Sequence, residues 1–200
     1  MPSLEYKKTR ILEVSGKLFM TYGYKRVSME EIARNAGVGK GTVYQLFKTK
    51  QELMFGTIDF ISEKMNSVVG NILNDAELPP IEKLQLFLKT ISDTLLSLRL
   101  DALKDLEIDF PEAFEKIQRQ RQNIIFGNLT ELIRQGKRDG IYDPQIDDAL
   151  VAHVVIGAID HVTQSNVIAS FDCMPEQLFQ SIIHIVLKGC LTQEYRDLIQ

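Results

Sequence analysis

The sequence predicts an all-α protein, with a small N-terminal helical bundle followed by a larger C-terminal one. Three observations point there. Apolar residues recur at spacings of three and four along most of the chain. The 6 prolines and 12 glycines are few and fall mainly between those periodic segments. No stretch shows the sustained two-residue alternation and β-branched enrichment of a strand. With 44% hydrophobic and 25% charged residues in 200, the chain has enough apolar material for a true core, which excludes disorder as its default state.

The first helix is expected to carry Ile11, Val14, Leu18 and Tyr22 on one stripe and to end at Gly23. Ser28-Met29-Glu30-Glu31 is a capping box, with a hydroxyl at the N-cap and a carboxylate three residues on. The helix it opens is short, because Gly37 follows Ala36, and a second short helix is expected from Lys40 to Phe47. Thr49-Lys50-Gln51-Glu52 is another capping box, opening a long helix through Leu53, Ile58, Ile61, Met65, Val68 and Ile72. Pro79-Pro80 closes a break that begins at Asn74. Leu84, Phe87, Leu88, Ile91, Leu95 and Leu98 mark the next helix, and Phe110-Pro111 the next boundary. A helix is then expected from Pro111 to about Arg138, and a polar loop from Gly136 to Pro144. Asp143 reads as an N-cap with Pro144 in the first helical position. The last two helices are expected over about Pro144–Ser170 and Pro175–Leu198.

Composition narrows the chemistry. Cys173 and Cys190 are too few for a disulfide framework or a four-thiolate zinc site, and read as inert thiols. His153, His161 and His184 leave few ligands for a metal. None has a glutamate three residues before it, as a di-iron bundle requires. No apolar run reaches the ~18 residues of a membrane span. The charged start, MPSLEYKKTR, leads into no signal-peptide core, so a cytoplasmic, reducing location is expected. Charge is uneven: residues 1–56 hold ten Lys and Arg against five acids, a net of +5, and the remainder carries −9. A basic head on an acidic body suits contact between the head and a polyanion, although a solvated charged face would look the same. Asp101, Asp105, Glu107 and Asp109 read as such a solvated face.

Residues 28–47 have the spacing of a helix-turn-helix, with Ala36-Gly37-Val38 as the turn. Ile32, Ala33, Val43 and Phe47 would face inward and set the crossing of the two helices. Lys40, Thr42, Tyr44 and Gln45 would then be exposed on the second helix: a cation, a hydroxyl, a phenol and an amide, which reach phosphates and base edges in a major groove. Gly39 and Gly41 would let the helix start approach a DNA backbone, where its amides and dipole favour phosphate. Short helix pairs with a glycine turn also occur in ordinary bundles. Gly37-Val38-Gly39-Lys40-Gly41-Thr42 is not a nucleotide-binding P-loop, because Arg34 stands where the first glycine belongs and Gly41 where a hydroxyl belongs.

The run Val27-Ser28-Met29-Glu30-Glu31-Ile32-Ala33-Arg34-Asn35-Ala36-Gly37-Val38-Gly39-Lys40-Gly41-Thr42-Val43-Tyr44-Gln45-Leu46-Phe47-Lys48, continued by Thr49-Lys50-Gln51-Glu52-Leu53, closely resembles the DNA-binding domain of TetR-family transcriptional regulators. The likeness covers roughly residues 7–56, and a weaker one lies at Gln135–Gly140. It implies an N-terminal three-helix helix-turn-helix DNA-binding domain at residues 1–48 and a ligand-binding and dimerisation bundle at 49–200. It implies phosphate contacts from Ser28, Lys40, Thr42, Tyr44 and Lys50, close approach at Gly39 and Gly41, and base reading by Gln45. Gly39 replaces a common Ser, and Leu46 a common polar residue, so those contacts are absent.

The expected partners are double-stranded DNA carrying a palindromic operator, a second copy of the chain, and a small hydrophobic or amphipathic effector that releases a repressor. No cofactor, metal or membrane is expected. The last two helices are apolar around most of their circumference, which argues for burial against a partner subunit. The effector pocket is expected at Phe87, Ile91, Phe110, Phe114 and Phe126, with Asn123, His161 and Gln164 as polar anchors; a filled core would use the same apolar residues. An enzyme is disfavoured for want of a catalytic constellation. A protein-docking adaptor remains the other alternative, distinguished from a DNA binder by salt dependence.

Overall fold

The computed structural model describes residues 3–97, 100–162, 167, 171–172 and 175–198. Of the positions named above, Leu98, Gln164, Ser170 and Cys173 lie outside it, as do the side chains of Leu95, Asp101, Phe179, Ile183 and Leu198. The fold is all-α. Among the described residues the helices include α1 (Leu4–Tyr22), α2 (Met29–Ala36), α3 (Lys40–Leu46), α4 (Lys50–Asn74), α5 (Pro80–Ser97), α6 (Leu100–Asp109), α7 (Pro111–Arg138), α8 (Asp148–Val162), α9 (Pro175–Cys190) and α10 (Gln193–Leu198).

Two compact units form. Residues 1–66 and 98–121 make the first, and 67–97 with 122–200 the second. The first turns of α4 complete the core of the head. Ile11, Leu12 and Phe19 of α1, Ile32 and Ala33 of α2, and Val43 of α3 are buried with Leu53, Met54 and Ile58 of α4. Leu106, Phe110 and Ala113 belong to the same core, so α6 and the start of α7 are part of the first unit. Tyr24 stacks between Phe19 and Phe110 at 5.7 and 5.3 Å, and Phe55 meets Phe110 edge-on at 5.1 Å. Lys116 and Gln120 of α7 both reach the Asp59 carboxylate of α4 at 2.7 Å.

The second unit is organised by the loop between α7 and α8. α7 ends in a Schellman turn: Gly140 sits at φ 73°, its N–H bonds the Lys137 carbonyl at 3.1 Å, and the Ile141 N–H bonds the Gly136 carbonyl at 2.8 Å. Gly136 itself lies within α7, and the Tyr142 ring packs directly over its Cα. Tyr142 also forms an isolated antiparallel bridge with Leu191, and the Asp143 N–H bonds the Cys190 carbonyl at 3.0 Å. The Thr192 N–H bonds back to the Ile141 carbonyl at 3.0 Å. These bonds correct two expectations. Asp143-Pro144 makes a turn rather than a helix start; Asp147 caps α8 instead, accepting from the Leu150 N–H at 2.9 Å. The final helix is interrupted at Leu191-Thr192, where the chain bonds to the loop instead of to itself.

Gly136→Ala should lower stability by about 1–3 kcal/mol, because the added methyl meets the Tyr142 ring, whose backbone is held in place by its bridge to Leu191. Thermal unfolding would show this as a lower Tm. An unchanged Tm would mean that the ring moves aside without cost.

Candidate nucleic-acid interface

The site is built from α2, the turn and α3. Ser28 caps α2, its hydroxyl accepting from the Glu31 N–H at 3.1 Å. α2 ends in a second Schellman turn. Gly37, at φ 69°, occupies the left-handed region that an L side chain adopts only at a cost of about 1–2 kcal/mol. Its N–H bonds the Arg34 carbonyl at 3.2 Å, and the Val38 N–H bonds the Ala33 carbonyl at 3.0 Å. The chain is thereby turned sharply before Gly39 opens α3, which has no side-chain cap. Val43 is fully buried and Phe47 nearly so, against Ile32, Ala33 and α4.

Burying Val43 fixes the opposite face of α3 outward. Lys40, Gly41, Tyr44 and Gln45 are exposed and Thr42 is half-buried. Lys40 forms an ion pair with Glu30 of α2 and sits 5.7 Å from the Tyr44 ring centre. Hydrogen bonding with Lys40 holds the Glu30 carboxyl below its ordinary range, and the same bond raises Lys40. Lys50 opens α4 with its ammonium 4.3 Å from the centre of the Tyr24 ring and 3.4 Å from the Lys25 carbonyl oxygen, to which it donates. Burial pushes its pKa down. The capping box at α4 closes with a one-residue offset: Thr49 Oγ1 accepts from the Glu52 N–H at 3.0 Å, while Glu52 accepts from the Lys48 N–H at 2.7 Å.

All eight residues expected to contact DNA thus lie on the segment from the α2 cap to the first turn of α4. Arg26, just before this segment, and Lys48, within it, are also exposed, and no motif position marks them. Their signal was the surplus of basic residues in the head. Asp109 is also placed differently from the solvated face expected of it: it is largely buried and paired with Lys25.

The residues expected to line an effector pocket are divided between the two units. Phe110 and Phe114 belong to the core of the first unit. Phe87 and Ile91 fill the core of the second, because they face inward on α5. Phe126 is half-buried against the His153 ring, with centres 4.9 Å apart. Asn123 and His161 are exposed, and Gln164 lies outside the described residues. Cys190 is a buried thiol with a pKa raised by desolvation. Among the described residues no group of histidine, cysteine or acidic side chains is placed to hold a metal, and no helix is long and apolar enough to cross a membrane.

A capped helix, a left-handed glycine turn and a second helix with an exposed polar face on a basic unit define a helix-turn-helix DNA-binding regulator. Residues 11–56 match the model of the family described as bacterial regulatory proteins, tetR family. The chain is 29% identical over 153 residues to the uncharacterized HTH-type transcriptional regulator YhgD of Bacillus subtilis, covering 75% of this chain and 78% of that one. It is 24% identical over 193 residues to the fatty acid metabolism regulator protein of the same organism, covering 92% and 95%. A crystal structure of a TetR-family regulator from Mesorhizobium loti shares the fold with a TM-score of 0.69 at 17% identity, over 96% of this chain and all of that one. Residues 11–56 thus carry the DNA-binding region of the TetR family of transcriptional regulators, on a chain whose fold is that of a TetR-family structure.

Glu30→Gln should tighten binding to any duplex several-fold at low salt, since Lys40 would no longer be shared with a carboxylate. The slope of log K against log salt should steepen by roughly one contact's worth, about 0.9. Unchanged affinity and slope in a titration of fluorescently labelled DNA would show that Lys40 makes no phosphate contact.

Proposed function

We propose that the chain is a homodimeric repressor that leaves a palindromic operator when a small hydrophobic or amphipathic effector binds its C-terminal unit. The exposed face of α3 carries this reading most directly. Ser28, Lys40, Thr42, Tyr44 and Lys50 would hold the DNA backbone, Gly39 and Gly41 would admit it closely, and Gln45 would read a base through its amide. Lys50 would have to exchange the Tyr24 ring and the Lys25 carbonyl for phosphate, a short movement of one long side chain.

The dimer is supported by what α8 and α9 leave uncovered. Val151, Val155, Ile156, Ile159 and Val162 are buried within the chain. On the other side of α8, Leu150 is 62% exposed and Val154 47%, in line with exposed Gly157 and His161. On α9, Ile185 is 71% exposed, with Gly189 one turn on. A twofold pairing of these faces would bury the apolar residues and present two α3 helices to successive major grooves about 34–36 Å apart. The similarity to a fatty acid metabolism regulator over nearly its whole length favours an amphipathic effector. Release requires that the effector prefer one arrangement of the dimer; coupling of about 1–3 kcal/mol would change DNA affinity about 5- to 150-fold.

Selection of bound duplexes from a random pool at near-physiological salt tests the proposal. An enriched palindrome is expected; no enrichment by folded, dimeric protein stripped of ligand by refolding would overturn it. On the selected site, Tyr44→Phe and Lys50→Ala should weaken binding across sequences, whereas Gln45→Ala should relax preference at one position of each half-site. An unaltered preference would remove Gln45 from base reading. Leu150→Lys combined with Val154→Glu should give a monomer by analytical ultracentrifugation, and a dimer that persists would place the interface elsewhere.

A further inference from the structure

A cavity of about 380 Å³ opens within the second unit, between α5, the end of α9 and the α7–α8 loop. None of the residues expected to form an effector pocket borders it. Two stripes of helical spacing form its walls, Leu84 and Leu88 on α5 and Leu187 and Leu191 at the end of α9, all buried. Facing stripes of leucine ordinarily close on each other, since an empty apolar gap forfeits dispersion contacts. Here the third wall, Tyr142, cannot move in to fill the space. Its ring is seated on Gly136, and its backbone is bound to Leu191. The loop around it is also held from the helix side, where Arg134 reaches Asp148 at 2.7 Å and Lys137 bonds the Ile146 carbonyl.

The polar residues are placed asymmetrically. Lys188, Lys89 and His184 are exposed members of the lining, and the lining contains no carboxylate. Lys89 is shared with Asp93 at 3.0 Å, which leaves Lys188 as the principal cation. Ser92 adds a buried hydroxyl without a hydrogen-bond partner among the described residues. An apolar interior of this size, within the ~300–1,000 Å³ of small-molecule sites, with a cationic border, selects a flexible hydrocarbon chain carrying an anionic head.

We infer that this cavity binds an aliphatic carboxylate, its chain between Leu84, Leu88, Leu187 and Leu191 and its head at Lys188. The inference rests on the reading that a small effector acts through the C-terminal unit, and it assigns that effector a place and a chemical class. It also supplies a route. On α9, Lys188 lies one turn from Ile185 and next to Gly189, at the flank of the surface proposed to pair with a second copy, so occupancy bears on a dimer helix directly.

Isothermal titration of the full chain with decanoate tests the site, with decyltrimethylammonium as a probe of equal chain and opposite charge. Saturable binding of one decanoate per chain is expected, at least tenfold tighter than the ammonium. Lys188→Glu alters only an exposed side chain and should weaken decanoate at least tenfold; Leu88→Phe should block it by filling the cavity. No decanoate binding, equal binding of the two probes, or wild-type binding by Lys188→Glu would overturn the inference. A parallel DNA titration separates the two readings. Decanoate binding that is lost in Lys188→Glu but never changes DNA affinity would support the site and overturn effector release. DNA release by decanoate that persists in Lys188→Glu would do the reverse.

Discussion

The apolar joint between α2 and α3 is the constraint on which the interface depends. α3 has seven residues, far fewer than the ~12–15 an isolated helix needs to hold itself in water. It exists because Val43 and Phe47 are buried against Ile32, Ala33 and the start of α4. The same burial determines which residues face outward. With Val43 inside, Tyr44 and Gln45 are outside, and rotating α3 to bury either would expose Val43. Gly37 sets the other coordinate, because its left-handed turn ends α2 and redirects the chain toward α3.

That joint does not stand on residues 1–48 alone. Tyr24, next to the turn leading into α2, stacks on Phe110, and Lys25 pairs with Asp109. Both partners lie more than eighty residues along the chain. The head is therefore held from α6 and α7 as well as from α4, and its core is continuous across the boundary that the DNA-binding motif suggests. α4 and α7 each continue from the first compact unit into the second.

Features governed by neighbours in sequence were legible from it. The caps at Ser28 and Thr49, the turn at Gly37 and the inward set Ile32, Ala33, Val43 and Phe47 all depend on residues within a few positions. Features governed by distant partners were not. Asp143-Pro144 has the residues of a helix start, yet the Asp143 N–H is taken by the Cys190 carbonyl and α8 begins later. Nothing near Leu191 marks a helix end; the interruption comes from its bridge to Tyr142, half a hundred residues earlier. Asp109 belongs to an acidic run that reads as solvated, and only Lys25 explains its burial. The cavity was the least legible feature, because Phe87 and Leu88 are equally apolar in sequence and only the position of Tyr142 leaves space beside one of them.

Whether the buried joint presents α3 to DNA can be read from amide hydrogen exchange of the whole chain, with and without its selected duplex. Slowed exchange is expected between Ser28 and Lys50, strongest in α3, whose short length makes it the part of the head most readily opened in the free protein. DNA-dependent protection confined to the second compact unit, with α3 exchanging as before, would contradict it.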